Sequence, residues 1–187
     1  MKIKSETAFR ELVADIVLRA KETLLEDGFV PLAGIAVPTK GNVRNFDLQQ
    51  PMNQAEEFHS AGLHEEAVRL KKDLGLMIRE VLREIKAIGY INAGQSTVSR
   101  PDPRNVQVVH GDEPGKGFAR ARLPRFDPQH RKAVVVNWEW KGPPEGTYKS
   151  GVIIQFFRRI PGGIVLEEST SSEGDPVIGL LTGLLAE

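Results

Sequence analysis

The fold of this chain is decided by three successive segments, RKAVVVNWEWK (residues 131–141), TYKSGVIIQFFRRI (147–160) and GGIVLEES (162–169). In the first segment, Val134, Val136 and Trp138 fall on one side of an extended chain. Asn137 and Glu139 fall on the other side, which is the period-two pattern of a strand with one buried face. The alternation therefore predicts a β-strand of a sheet with one buried face.

The two connections between these segments are rich in turn-forming residues. Pro143 and Pro144 lie in the first connection and cannot continue a β-ladder, because proline has no backbone N–H. Gly162 and Gly163 lie in the second connection and can adopt the positive φ that a tight hairpin requires. The pattern predicts an antiparallel three-strand meander over residues 132–169.

Two other segments have the spacing of amphipathic helices, because apolar residues recur in them at intervals of three or four positions. The first runs from Ser5 to Asp27, with Ser5 as the N-cap and Gly28 as the left-handed residue after the last turn. The second begins after Gly62 and is expected to end at Gly89. These segments predict the two long helices of the fold.

The rest of the chain has shorter or weaker patterns. The predictions for it are a β-hairpin over 29–48, a connection over 49–60 with a helical last part, a strand over 90–100, short strands within 101–128 and a helix after Asp175 and Pro176. The last helix is mostly apolar and is expected to dock on the sheet, on the first helix or on a second subunit.

These elements predict a single α+β domain over residues 1–187. We expect a mostly antiparallel sheet that ends in the three-strand meander, packed on the two long amphipathic helices, plus the short C-terminal helix. Both long helices are expected on the face that carries Val134, Val136, Trp138 and Trp140.

The opposite face of this sheet is also predicted to carry apolar side chains. Val135, Ile153 and Phe157 are assigned to it and would form a larger apolar patch than a monomer normally exposes. The leading functional hypothesis is therefore a non-enzymatic interaction protein that self-associates through its sheet or its C-terminal helix, most simply as a homodimer.

Composition excludes several classes of chemistry. The chain of 187 residues has 25 basic and 25 acidic side chains and no cysteine. Without cysteine there is no disulfide, thiolate nucleophile or cysteine-ligated metal. The first residues predict a charged helix rather than a signal peptide, and no apolar run is long enough to span a bilayer, so we expect a soluble cytoplasmic protein with no membrane partner.

The alternative enzymatic hypothesis is a metal-assisted hydrolase. Residues 56–66 gather imidazoles and carboxylates, which are ligands for zinc, manganese or iron. The candidate ligands are Glu56, His59, His64 and Glu65. A solvated helix start explains the same residues, because carboxylates are favoured near a helix N-terminus. We expect no cofactor under the leading hypothesis, and a divalent metal enters only with this alternative.

The third hypothesis is single-stranded nucleic-acid binding through a face that combines arginine and aromatic side chains. Its candidate residues are Arg120, Arg122, Arg158 and Arg159. The zero net charge disfavours this partner, because nonspecific binding to nucleic acid depends on neutralised phosphates. Arginines on an edge strand also protect the sheet against aggregation without any ligand.

Overall fold

The structure is a computed structural model, which describes residues 2–99, 130–143, 147–174, 181 and 183–185. Its elements are α1 (Glu6–Asp27), β1 (Ala33–Pro38), β2 (Arg44–Asp47), α2 (Gln49–Ser60), α3 (His64–Glu84), β3 (Ala87–Ser99), β4 (His130–Trp140), β5 (Lys149–Ile160) and β6 (Gly163–Glu173). The predicted short strands within 101–128 lie outside the described residues.

The strands form one six-stranded sheet in the order β2-β1-β3-β4-β5-β6, and every neighbouring pair is antiparallel. β4, β5 and β6 are the predicted C-terminal meander, and β1 and β2 are the predicted hairpin. The α+β class expected from the sequence is therefore confirmed.

α1 begins and ends where its capping residues predict. The Ser5 hydroxyl accepts a hydrogen bond from the Ala8 amide at 3.2 Å. Gly28 has a φ of 73°, and its amide donates to the Leu24 carbonyl at 3.0 Å. Both ends of the helix thus satisfy backbone groups that the helix itself leaves without partners.

α2 is a helix where the sequence predicted a connection. Pro51 argued against a helix there, but it lies in the first helical turn, where a missing N–H costs no intrahelical hydrogen bond. The Asp47 carboxylate accepts the Gln49 amide at 2.9 Å and supports the start of α2. The prediction of a connection was therefore wrong for the first part of 49–60, whereas the helical last part is confirmed.

α3 is shorter than predicted. The apolar spacing continues through Ile85 and Ile88, but the helix ends at Glu84 and Gly89 lies inside β3. Lys86, with a φ of 50°, reverses the chain direction between the two elements. Pairing of β3 with β1 and β4 overrides the helical spacing of these residues.

We call the side of the sheet covered by α1 the first face. The ring of Phe9 stacks on Trp140 with centroids 4.8 Å apart and meets Trp138 edge-on at 6.3 Å. Val134 and Val136 belong to the same buried cluster. The sequence assigned the apolar side of β4 correctly, and α1 is the helix that covers it.

α3 packs on the opposite side, which we call the second face. Leu74, Ile78 and Leu82 of α3 are clustered with Ala36 of β1 and Tyr90 of β3. The expectation that both long helices share one face was wrong. α1 and its aromatic partners already fill the first face, so the apolar stripe of α3 is buried on the other side of β1 and β3.

The predicted membership of the second face was also partly wrong. Ile153 lies opposite Val136 in the β4–β5 register and packs against the first-face cluster. Phe157, which follows a register shift in β5, is buried in the same cluster. Val135, which pairs with Ile154, does lie on the second face.

The described part of the C-terminus is docked on the protein's own second face. Leu181 is in a turn and residues 183–185 form bends, whereas the other residues of the predicted C-terminal helix lie outside the described part. Leu181, Leu184 and Leu185 are buried in the cluster that contains α3. Among the described helices, none has the length and apolar character needed to cross a membrane.

Candidate functional site: a polar groove and an apolar patch on the second sheet face

Polar side chains meet in the middle of the second face. β3 and β4 place Tyr90 opposite Glu139 and Asn92 opposite Asn137, so alternation directs all four side chains to the same side of the sheet. Tyr148, which precedes β5, also lies beside Glu139. We call these five residues the polar groove.

Glu139 is the centre of the polar groove and is only 3% exposed. One carboxylate oxygen accepts the Leu184 amide at 3.2 Å, and the other accepts the Leu185 amide at 2.8 Å. The Tyr148 hydroxyl also hydrogen-bonds to this carboxylate. A buried carboxylate is stable only when such donors surround it, and here backbone amides supply most of them.

Burial raises the pKa of Glu139, because desolvation penalises the charged carboxylate. Hydrogen bonds from the Leu185, Leu184 and Gly183 amides and from Tyr148 oppose this shift. The pKa of Tyr90 is raised as well, first by burial and then by the nearby Glu139 charge. The groove is therefore a dry environment in which hydrogen bonds are stronger than in water.

Asn92 and Asn137 extend the network along the sheet. The Asn92 side-chain amide donates to the Leu181 carbonyl at 2.7 Å. Its carbonyl oxygen accepts from the Asn137 amide at 2.8 Å, which fixes the orientation of the Asn92 side chain. Asn92 thus donates to a carbonyl of the C-terminal segment, and Glu139 accepts amides of the same short segment.

Two buried atoms of the groove have no hydrogen-bond partner among the described residues. They are the Tyr90 hydroxyl and the side-chain oxygen of Asn137. Tyr90 is 1% exposed, so its hydroxyl is well removed from solvent. Buried polar atoms of this kind call for an explanation, and an incompletely used binding site is one.

An apolar patch adjoins the polar groove on β4 and β5. Its members share the second face by the β4–β5 register and are only half-buried: Val135, Val152, Ile154 and Phe156. Within the described chain, the second hydrophobic cluster has members from β1, β3, α3 and the C-terminus but none from β5. We call these four residues the open patch.

One end of the open patch is bordered by charge. The Arg131 guanidinium lies over the Phe156 ring at 4.1 Å from the centroid, a cation–π contact. Glu167 binds the same guanidinium at 2.5 Å, and Glu168 also pairs with it. A polar rim around an apolar centre is the usual anatomy of a protein interface.

The structure brings together two of the four predicted metal ligands. The Nδ1 atoms of His59 and His64 are 3.0 Å apart, across the turn between α2 and α3. Glu56 and Glu65 are exposed on the two helices. Among the residues with described positions, no group of three or more histidine, aspartate or glutamate side chains is arranged to hold a metal ion.

Only two of the four predicted nucleic-acid residues lie within the described part of the chain. Arg120 and Arg122 lie outside it. Arg158 and Arg159 lie at the exposed end of β5, where Arg159 donates to the Gly28 carbonyl and Arg158 lies 3.7 Å from Glu167. These two arginines therefore have contacts within the protein.

A small cleft lies on the other side of the sheet, between α1 and the ends of β5 and β6. Its volume is about 170 Å³, and its walls include Arg10, Val13, Trp138 and Glu173. Sites for small molecules usually have volumes of roughly 300–1,000 Å³. The cleft is smaller than that, so the second face is the stronger candidate site.

Comparison of the chain with protein-family models, with curated proteins and with solved structures finds no significant match. We therefore infer the function of the chain from the geometry of the second face. Sequence reasoning missed the polar groove, because Asn137 and Glu139 read as the solvent side of β4. The available signal was a glutamate between two tryptophans in a strongly apolar strand.

Proposed function

We propose that this chain is a non-enzymatic interaction protein that self-associates through the second face of its sheet, as a two-fold homodimer. The open patch is the observation that carries the proposal. Its four side chains are apolar, contiguous across β4 and β5 and only half-buried. A second copy that presents the same patch would remove this surface from water.

The chemistry of the patch favours association over simple solvation. An antiparallel sheet with one solvated face normally carries polar side chains there. β5 instead presents Val152, Ile154 and Phe156. Burial of apolar surface stabilises an interface by roughly 25 cal/mol per Å², so a patch of branched and aromatic side chains is a favourable centre for one.

Symmetry and charge support a second copy of the chain as the partner. A two-fold interface brings the same surface patch of both subunits together, and it is the commonest form of homo-oligomer. The 25 basic and 25 acidic residues cancel, so no net charge repels two copies at long range. The polar rim at Arg131 is available to fix the register of the interface.

The experiment is the mass of the full-length protein in solution, measured by light scattering after size exclusion. The unmodified chain is expected at about 41 kDa, twice its mass of 20.7 kDa. Ile154→Lys places a charge in the open patch and is expected to give a monomer with an unchanged circular dichroism spectrum.

Val68→Lys is the matched control, because Val68 on α3 is apolar and 66% exposed but lies outside the open patch. This variant is expected to remain a dimer. A monomeric unmodified chain at tens of micromolar would contradict the proposal. Dimers of equal stability in the unmodified protein and in Ile154→Lys would also contradict it.

A further inference from the structure

The polar groove holds the C-terminal segment (residues 181 and 183–185) mainly by its backbone. Glu139 accepts the amides of Leu184 and Leu185, and Asn92 donates to the carbonyl of Leu181. Side chains of the segment contribute differently, through burial of the three leucines against α3 and Tyr90. Backbone hydrogen bonds combined with apolar pockets are a general mode of peptide recognition.

The described part of the segment is not a strand of the sheet or a turn of α-helix. It consists of a turn and bends, so no ladder of backbone hydrogen bonds ties it to a neighbouring strand. Its attachment depends on the groove itself. A segment held in this way can leave and rebind without disrupting the six-stranded sheet.

The groove also has hydrogen-bonding capacity that the described part of the segment does not use. The Tyr90 hydroxyl and the Asn137 side-chain oxygen are buried and have no partner among the described residues. One is a donor and the other an acceptor, which are the groups that a peptide backbone needs. The groove therefore has two hydrogen-bonding groups beyond those that bind Leu181, Leu184 and Leu185.

We infer that the polar groove is a peptide-binding site for a Gly-Leu-Leu segment, and that in the homodimer it takes the C-terminal segment of the second copy. The sequence supplies this motif twice, as residues 179–181 and 183–185. The choice of a second copy rests on the proposed self-association. The groove itself is argued from the contacts of Glu139 and Asn92.

The geometry of the chain permits this exchange. The Gly174 amide is fixed to the sheet by the Ser150 carbonyl at 2.9 Å, and the next described residue is Leu181. An extended chain between these two positions spans at most roughly 25 Å. Sheets packed face to face are only about 10 Å apart, so the segment can reach the groove of the opposing subunit.

Exchange of the C-terminal segment between two subunits leaves its hydrogen bonds unchanged, because the segment makes the same hydrogen bonds in either groove. Only the entropy of the connecting residues differs between the two arrangements. Swapping of a terminal element is for this reason a low-cost route to a dimer. Open patch and polar groove would then belong to one continuous interface.

The test uses the full-length chain and a fluorescein-labelled peptide of residues 174–187, GDPVIGLLTGLLAE. The receptor is a full-length variant with Leu184→Ser and Leu185→Ser, which weaken its own segment. Fluorescence anisotropy is expected to show saturable binding with one peptide per chain. The unmodified chain is expected to bind at least about tenfold more weakly, because its own segment competes.

Two controls address specificity. A peptide with both leucines of its second Gly-Leu-Leu replaced by serine is expected not to bind. Addition of Glu139→Gln to the receptor is expected to weaken peptide binding by about tenfold or more. This is the effect of losing one hydrogen bond to a charged group. If the double serine receptor is not folded by circular dichroism, Leu184→Ala alone serves as the receptor.

The outcomes separate this inference from the proposed function. No binding of the peptide to a folded receptor overturns the groove as a peptide site, even if the chain is a dimer. Peptide binding to a chain that stays monomeric overturns the second copy as the natural occupant. Peptide binding, together with an unmodified dimer that Leu184→Ser and Leu185→Ser convert to a monomer, supports both steps. A dimer that these two substitutions leave intact overturns the exchange.

Discussion

The two faces of the sheet bury their side chains by different means. On the first face, the rings of Phe9, Trp138 and Trp140 contact one another within a larger aliphatic cluster beneath α1. On the second face, α3 covers only the β1–β3 half, and a buried carboxylate, Glu139, binds backbone amides. The first face is thus closed by side-chain packing, whereas the second also depends on hydrogen bonds to a buried carboxylate.

The largest expected effect comes from opening the first face. Phe9→Ala removes a ring that is 0% exposed and stacked on Trp140, and we expect a loss of about 3–5 kcal/mol in the free energy of unfolding. Urea denaturation followed by tryptophan fluorescence measures it. Phe156→Ala in the open patch is the matched control and is expected to cost less than half as much.

Equal losses in these two variants would contradict the difference between the faces. Phe156 is half-buried, so its replacement leaves a smaller cavity and less lost contact area. The comparison is made on monomer by adding Ile154→Lys to both proteins, because dimer formation would also stabilise the folded state.

A methyl group added to Gly89 tests how tightly the first face is packed. A Cβ atom there would lie 2.6 Å from Cε2 of Phe9, so the ring would have to move. We expect Gly89→Ala to lower the free energy of unfolding by about 1–3 kcal/mol, the usual cost of overpacking. Thermal or urea unfolding would detect it.

Gly34→Ala provides the corresponding change on the second face. Its Cβ would lie 3.0 Å from Cδ1 of Leu48 and 3.1 Å from the Tyr90 hydroxyl, a milder overlap than the 2.6 Å approach to Phe9 at Gly89. The expected loss is smaller than for Gly89→Ala. A larger loss at Gly34 would show that the second face is packed as rigidly as the first.

The buried carboxylate of the second face should give stability an unusual dependence on pH. Burial raises the folded-state pKa of Glu139 above its ordinary value of 4.5. The folded state then holds this proton more tightly than the unfolded state, so the contribution of Glu139 to stability falls as pH rises upward from 4.5 through the folded pKa.

Glu139→Gln removes the titration of this carboxylate. The difference in stability between the unmodified protein and this variant therefore isolates the effect of Glu139 from that of all other titratable groups. We expect the stability of the unmodified protein relative to Glu139→Gln to decrease as pH rises through that window. Urea unfolding of both proteins at several pH values measures the difference. A difference that increases with pH would mean that hydrogen bonds to the carboxylate outweigh its desolvation.

The smallest effect is expected from the exposed ion pairs beside the first face. Arg10 binds Glu6 at 2.9 Å and also pairs with Glu173. Hydrogen bonds from Lys149 and Arg10 lower the pKa of Glu6, and Arg10 lowers that of Glu173, so their contribution is lost as pH falls below 4.5.

Glu173→Gln is expected to cost less than about 1 kcal/mol, because exposed ion pairs are weakened by solvent screening. The cost should decrease further at high salt, which chemical unfolding at two salt concentrations would measure. A loss as large as that of Gly89→Ala would indicate that this ion pair, and not aromatic packing, holds α1 on the sheet.

Local patterns account for what the sequence predicted well. α1, the hairpin and the meander are each specified by neighbouring residues, such as the Ser5 cap and the alternation around Trp138. The end of α3 was missed, because Ile85 and Ile88 keep helical spacing while strand pairing decides their structure.

Non-local contacts explain what the sequence could not provide. The β4–β5 register, which places Ile153 on the first face and Ile154 on the second, is set by pairing between two strands and not by either strand alone. Glu139 looked solvent-exposed, since its partners Leu184 and Leu185 are 45 and 46 residues away. The polar groove therefore emerges only from the folded chain.

We expect a second copy of the chain to cover the open patch of the second face. Because the chain has no cysteine, Ile154→Cys introduces a single thiol whose rate of modification reports exposure. That rate is expected to fall as protein concentration rises, whereas Val68→Cys should be modified at a constant rate. A rate at position 154 that is independent of protein concentration would contradict the claim.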